Sequence, residues 1–79
     1  MIQRETAQIG LRANELLLKE DKPVYLQMRE MGLGENSCYA WANGEAAPSA
    51  KALRAMALAG YDVMYILTGV RSKEAGYGN

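Results

Sequence analysis

Residues 31–44 read Met-Gly-Leu-Gly-Glu-Asn-Ser-Cys-Tyr-Ala-Trp-Ala-Asn-Gly, and the punctuation of this stretch decides the fold. Gly32 ends the segment before it as a glycine just past a helix would, and Leu33-Gly34 leaves room only for a tight connection. Asn43-Gly44 closes the next segment with strong turn chemistry. Between the stops, Cys38 and Trp41 stand three apart, while Glu35, Asn36, Tyr39 and Ala40 point elsewhere. The spacing predicts a short helix over Glu35–Asn43 with a thin apolar stripe and a small or polar outer face.

Upstream, Pro23 to Met31 reads as another short helix with Val24, Met28 and Met31 on one side. Pro23 lies in its first turn and Asp21 or Lys22 at the cap. Before that, Thr6 to Glu20 lacks proline and carries Ile9, Ala13, Leu16, Leu17 and Glu20 at helical spacing. Gly10 inside it costs about 1 kcal/mol against alanine, which is tolerable where a neighbouring helix must approach closely.

Downstream, the linker Glu45-Ala46-Ala47 leads to Pro48-Ser49, and Ser49 is the expected N-cap of a helix from Ala50 to Ala59. Leu53, Met56, Ala57 and Leu58 are expected to face inward. Gly60 stops this helix, Asp62 caps a last one from Val63 to Leu67, and Gly69 ends it. Residues 70–79 are polar, glycine-bearing and aperiodic, so no regular structure is expected there. The expectation is a compact all-α domain of five helices over 1–69, followed by a flexible C-terminal tail over 70–79.

Seventy-nine residues at 8.7 kDa, 49% hydrophobic and 23% charged, make one globular domain. Folding at this size buries only about 60% of the unfolded chain's surface, so the core must be compact and helped by caps, tight turns or a partner subunit. Cys38 is the single cysteine, which leaves no internal disulfide and suits a reducing, cytoplasmic setting. No apolar stretch is long enough for a signal peptide or a membrane span. With no histidine and one cysteine, the usual zinc ligands and nucleophile–base pairs are missing. No catalytic residue, metal or cofactor is therefore assigned.

The nine Lys plus Arg equal the nine Asp plus Glu, so no global basic field marks a nucleic-acid binder. The only positive excess lies in residues 49–79, with four basic and two acidic groups. Function must then be read from local pattern. A short helix, a glycine turn and a second short helix with a slim polar face is what a helix-turn-helix needs, because the second helix must enter the DNA major groove and reach base edges.

With Gly32-Leu33-Gly34, Cys38, Trp41, Gly44, Pro48-Ser49, Leu53, Ala57, Gly60 and the run Asp62-Val-Met-Tyr-Ile-Leu-Thr-Gly69, the chain resembles the lambda-repressor-like (Cro/C1-type, or XRE) DNA-binding domain over residues 6–69. The resemblance implies a five-helix fold whose second and third helices form the reading motif, in a bacterial, phage or prophage transcription regulator of repressor type. It places Glu35, Asn36, Ser37, Tyr39 and Ala40 on the DNA-facing side. Chemistry then assigns roles: Asn36 can bond an adenine N6/N7 pair, Glu35 can accept from a cytosine N4 amine, Ser37 and Tyr39 can reach phosphate or base, and Ala40 can touch a thymine methyl.

Two departures stand beside the matches. Where members of the family carry a phosphate-fixing glutamine at the start of the second helix, this chain has Pro23-Val24. Where the family pairs a first-helix arginine with a glutamate after the third-helix aromatic, it has Leu17 and Ala42. Losing both partners together avoids the roughly 3–5 kcal/mol that a single buried orphan charge would cost.

Between Glu30 and Ala50 there is no Lys or Arg. Phosphate contacts are assigned to Lys22, Arg29, Asn43 and Lys51, with Arg54, Arg71 and Lys73 as further cations. Affinity per subunit should be modest, which calls for a homodimer on half-sites about 34–36 Å apart. Tyr61, Met64 and Tyr65, beside the last helix, are the expected dimer seam.

Several residues have simpler readings. Trp41 and Cys38 sit on the inward phase and are read as core, and Met28, Met31, Met56 and Met64 as packing residues. Glu35 has two readings, a favourable charge at a helix start or a base acceptor. Tyr39 and Asn36 also suit contact with a protein. The expected function is a sequence-specific regulator that binds double-stranded DNA. The alternative is a protein-interaction module on the same scaffold, such as an antitoxin or adaptor.

Overall fold

Arg4–Lys19, a run of 16 residues without proline, forms α1 in the computed structural model, which describes residues 4–76. Its inward stripe is Gly10, Ala13, Leu16 and Leu17, with half-buried Ile9 packed beside it. The remaining helices are α2 (Val24–Glu30), α3 (Ser37–Ala42), α4 (Ala50–Leu58), α5 (Val63–Thr68) and α6 (Ser72–Ala75). Among the described residues there is no strand, so the all-α class holds, and none of their helices is long and apolar enough to cross a membrane.

The layout centres on α1, against which α3 and α5 both pack. Leu17, Met28, Met56 and Ile66, from four different helices, are the large side chains sealed completely, with Ala13, Leu16, Cys38, Trp41 and Ala52 around them. Gly10 is where α3 comes closest. A Cβ there would run into the Ala46 carbonyl oxygen and lie 3.2 Å from the Trp41 Cα, so the absence of a side chain is what lets the end of α3 and the following loop rest on α1.

Helix ends follow local chemistry. At the end of α2, the Leu33 N–H donates to the Met28 carbonyl at 2.9 Å and the Gly32 N–H to that of Arg29 at 3.0 Å, a Schellman closure made possible by the Gly32 φ of +74°. The same two bonds close α3 (Glu45 to Ala40, Gly44 to Trp41) and α4 (Tyr61 to Met56, Gly60 to Ala57). Ser49 caps α4 by accepting from the Ala52 N–H at 3.1 Å, and Asp62 caps α5 by accepting from that of Tyr65 at 3.1 Å, both as expected.

The structure corrects four expectations. Neither Asp21 nor Lys22 caps α2: Pro23 itself holds the N-cap position, and no side chain caps the helix. The third helix begins at Ser37 rather than Glu35. Glu35 and Asn36 form a turn closed by the Ser37 N–H on the Gly34 carbonyl at 3.1 Å, and Asn36 holds the N-cap position without a side-chain bond. Ala57 and Leu58 face outward, Leu58 with 72% of its surface exposed, because Ala52 and Met56 set the buried phase of α4. Finally, residues 72–75 form a sixth helix where no regular structure was expected. The Ser72 N–H and hydroxyl both donate to Asp62, and Arg71 reaches Glu15 at 3.4 Å, tertiary bonds that periodicity does not register.

Candidate nucleic-acid interface

The turn Gly32–Asn36 delivers α3 with its narrow apolar side down and the rest of its girth to solvent. Cys38 and Trp41 are buried at 5% and 4% exposure, while Asn36, Ser37 and Tyr39 are exposed, Tyr39 at 64%. Ala40 is half-buried. Cys38 Sγ donates to the Glu35 carbonyl at 3.3 Å, tying the start of α3 to the turn before it. The described C-terminal residues lie against α1 and α5 through Glu15 and Asp62.

An open groove of about 380 Å³ runs between this turn, α3 and the start of α4. Ser37, Ala40 and Lys51 line it together, over a floor that includes Trp41 and Ala52. Lys51, exposed in the first turn of α4, makes no ion pair among the described residues. The groove therefore brings two expected base-reading positions and one expected phosphate position to one place.

The other cations assigned to phosphate are differently situated. Arg29 Nε donates to Glu35 at 3.2 Å and its terminal amine to the same carboxylate at 3.5 Å, with the guanidinium 5.5 Å from the Tyr25 ring centre. Hydrogen bonding to Glu35 raises the Arg29 pKa further. Lys22 pairs with Glu30 at 2.7 Å in a separate cleft of about 270 Å³ that Glu20, Gln27 and Tyr61 also line. Asn43 is the exposed C-cap of α3, at the far end of that helix from Asn36. Arg29 and Lys22 thus enter any encounter with an anion already neutralised by carboxylates of the same chain.

Two of the expected dimer residues spend their polar ends inside the subunit. The Tyr61 hydroxyl donates to Gln27, and burial together with Glu20 and Glu30 raises its pKa. The Tyr65 hydroxyl donates to Glu15 at 2.6 Å beneath the Arg71 guanidinium, 4.0 Å from the ring centre. Met64 is half-buried. The large apolar side chains left outside are instead Leu11, Leu18, Leu58, Leu67 and Val70, with the two tyrosines Tyr25 and Tyr39.

No family model, curated protein or solved structure matches the chain. The geometry therefore carries the functional argument.

Two residues with structural consequences, Gln27 and Arg12, carry no role in the sequence pattern, and a third, Asp62, has more than the one expected. Gln27, 4% exposed, donates to the carbonyls of Leu17 and Lys22 at 2.8 Å each, taking up chain ends that no capping side chain serves. Arg12 donates to the Ile66 and Leu67 carbonyls at 2.9 and 3.3 Å, a cation set on the C-terminal end of α5. Asp62 was expected only as a cap, yet it also holds Ser72. The Ser72 hydroxyl and N–H are the main reasons its carboxyl lies below the usual range. Gln27 and Arg12 leave a faint signal, a polar residue on an otherwise apolar helical phase.

Proposed function

We propose that this chain is a sequence-specific, dimeric regulator that binds double-stranded DNA, with α2, the Gly32–Asn36 turn and α3 acting as a helix-turn-helix. The observation that carries the reading is the disposition of α3: two inward anchors, Cys38 and Trp41, and a slender exposed side bearing Asn36, Ser37 and Tyr39. A helix so mounted fits a major groove about 12 Å wide, and its outer residues are of the types that bond base edges. Lys51 at the start of α4 supplies a phosphate contact beside Ser37, and Asn36 is the leading base-reading residue.

The test is retention of a random-sequence duplex at low ionic strength. The wild-type protein should bind with an affinity that falls as salt rises. Lys51→Ala should bind more weakly and lower the slope of log K against log salt by about 0.9 per subunit. Binding that is absent at low salt, or insensitive to salt, would remove this reading.

A second reading is favoured by one specific observation. Arg29 and Lys22 are each held by a carboxylate, Tyr25 lies exposed beside Arg29, and Tyr39 is exposed on α3. A neutral surface with exposed tyrosines suits a protein partner. Under that reading duplex DNA is not retained at any salt concentration.

A further inference from the structure

Resting on the DNA-binding reading, we infer that Glu35 is a built-in competitor of DNA phosphate for Arg29, and so restrains binding to non-cognate sequence. Arg29 leaves from the solvent side of α2 and Glu35 sits in the turn before α3, so their contact bridges the two helices of the reading motif. Two nitrogens of Arg29 meet the two oxygens of Glu35, at 3.2 and 3.5 Å. Both side chains are open to solvent, 60% and 46% exposed, so each is accessible to a nucleic acid.

The exchange on meeting a duplex follows from charge. For Arg29 to take a phosphate, it must leave Glu35, and the freed carboxylate then stands on the same face within the negative field of the backbone. On a sequence with nothing to offer Glu35, the gain at Arg29 is offset by that repulsion, and no condensed cation is released on balance. Where a cytosine N4 amine lies within reach of Glu35, the carboxylate gains a donor and Arg29 is freed for phosphate. One ion pair thereby couples a sequence-blind contact to a base-dependent one. Lys51, which makes no ion pair among the described residues, carries no such condition.

The coupling is tested by a double-mutant cycle on random-sequence duplex DNA, using wild type, Glu35→Gln, Arg29→Gln and the double variant of the full chain. Salt is varied from 50 to 200 mM, and far-UV circular dichroism confirms that each protein folds. Glu35→Gln should bind more tightly than wild type at 50 mM. Its salt slope should steepen by about 0.9 per subunit, an extra fall of about 3–4-fold across that range. In the Arg29→Gln background the same change should bring little or none of that gain. An equal gain in both backgrounds assigns the effect to general repulsion, and no gain in either removes the competition. With salt-dependent binding by wild type retained, both results overturn the inference and leave the DNA-binding reading intact. If none of the four proteins binds in a salt-dependent way, the DNA-binding reading itself fails and takes the inference with it.

Discussion

The Gln27 side-chain amide donates to the Leu17 carbonyl at 2.8 Å from inside the core. Its second bond, to the Lys22 carbonyl, and the Tyr61 hydroxyl on its oxygen complete a buried polar junction where α1 ends, α2 begins and α5 is approached. Gln27→Leu keeps about the same volume but takes the Gln27 partner from the Lys22 carbonyl and the Tyr61 hydroxyl and leaves the Leu17 carbonyl only the Glu20 N–H at 3.3 Å. It should lower stability by about 2–4 kcal/mol, since unpaired buried groups cost about 1–3 kcal/mol each. The urea midpoint of the variant, measured at unchanged m-value, reports it. A shift corresponding to less than 1 kcal/mol would mean that water replaces the amide.

Gly10→Ala sets helix propensity against close packing. Alanine gains about 1 kcal/mol in a helix interior, yet its Cβ would meet backbone atoms of Ala46 and Trp41, which cannot rotate aside. The net result should be a loss of about 1–3 kcal/mol, the usual range for overpacking. Gly34→Ala is the control, because its Cβ would find only the Ser37 hydroxyl at 3.4 Å. Thermal melts of the two variants should move apart.

Acid should act first on the junction between α5 and α6. Bonds from Ser72 hold the Asp62 carboxyl below its usual range, and the Tyr65 hydroxyl and then Lys19 do the same for Glu15. A group depressed on folding stabilises above its unfolded pKa, about 4 for a carboxylate, and that contribution is lost as pH falls through the lower folded value. Urea unfolding between pH 2 and pH 7 should therefore show a declining acid limb in the wild type. Asp62→Asn should start lower at neutral pH and decline less. Ser72→Ala, lacking the largest cause of the depression, should fall between them.

Asn36→Ala tests base reading without touching charge. The residue is exposed and caps nothing, so folding should be preserved. Loss of a bidentate contact to adenine should weaken cognate binding by about 1–3 kcal/mol and relax preference at one base position. Selection from a randomised duplex library with both proteins reads this directly. Identical selected sequences would assign Asn36 no part in recognition.

What could be read in advance was the chemistry that acts over a few residues. The stops at Gly32, Gly44 and Gly60, the caps at Ser49 and Asp62, and the inward phase of Cys38 and Trp41 are each settled by their immediate neighbours. What could not be read depended on which element arrives from elsewhere. Leu58 has an apolar side chain on a helix, but no element covers it. The hydroxyls of Tyr61 and Tyr65 are bonded to Gln27 and Glu15, far away in the chain, and neither bond shows in the local sequence. At the candidate site, the exposure of Asn36, Ser37 and Tyr39 was legible, whereas the engagement of Arg29 and Lys22 was not, because an ion pair between exposed side chains leaves no periodic trace.

The repeated closure of α2, α3 and α4, each by two bonds within six residues, bears on how quickly the chain reaches its native arrangement. Three successive connections are set by neighbours, without waiting for distant segments to meet. The search left over is the docking of α1 onto α3 and α5, a modest loop-closure problem. Small helical domains built in this way complete folding on the microsecond-to-millisecond scale, so temperature-jump relaxation of Trp41 fluorescence should be over within milliseconds.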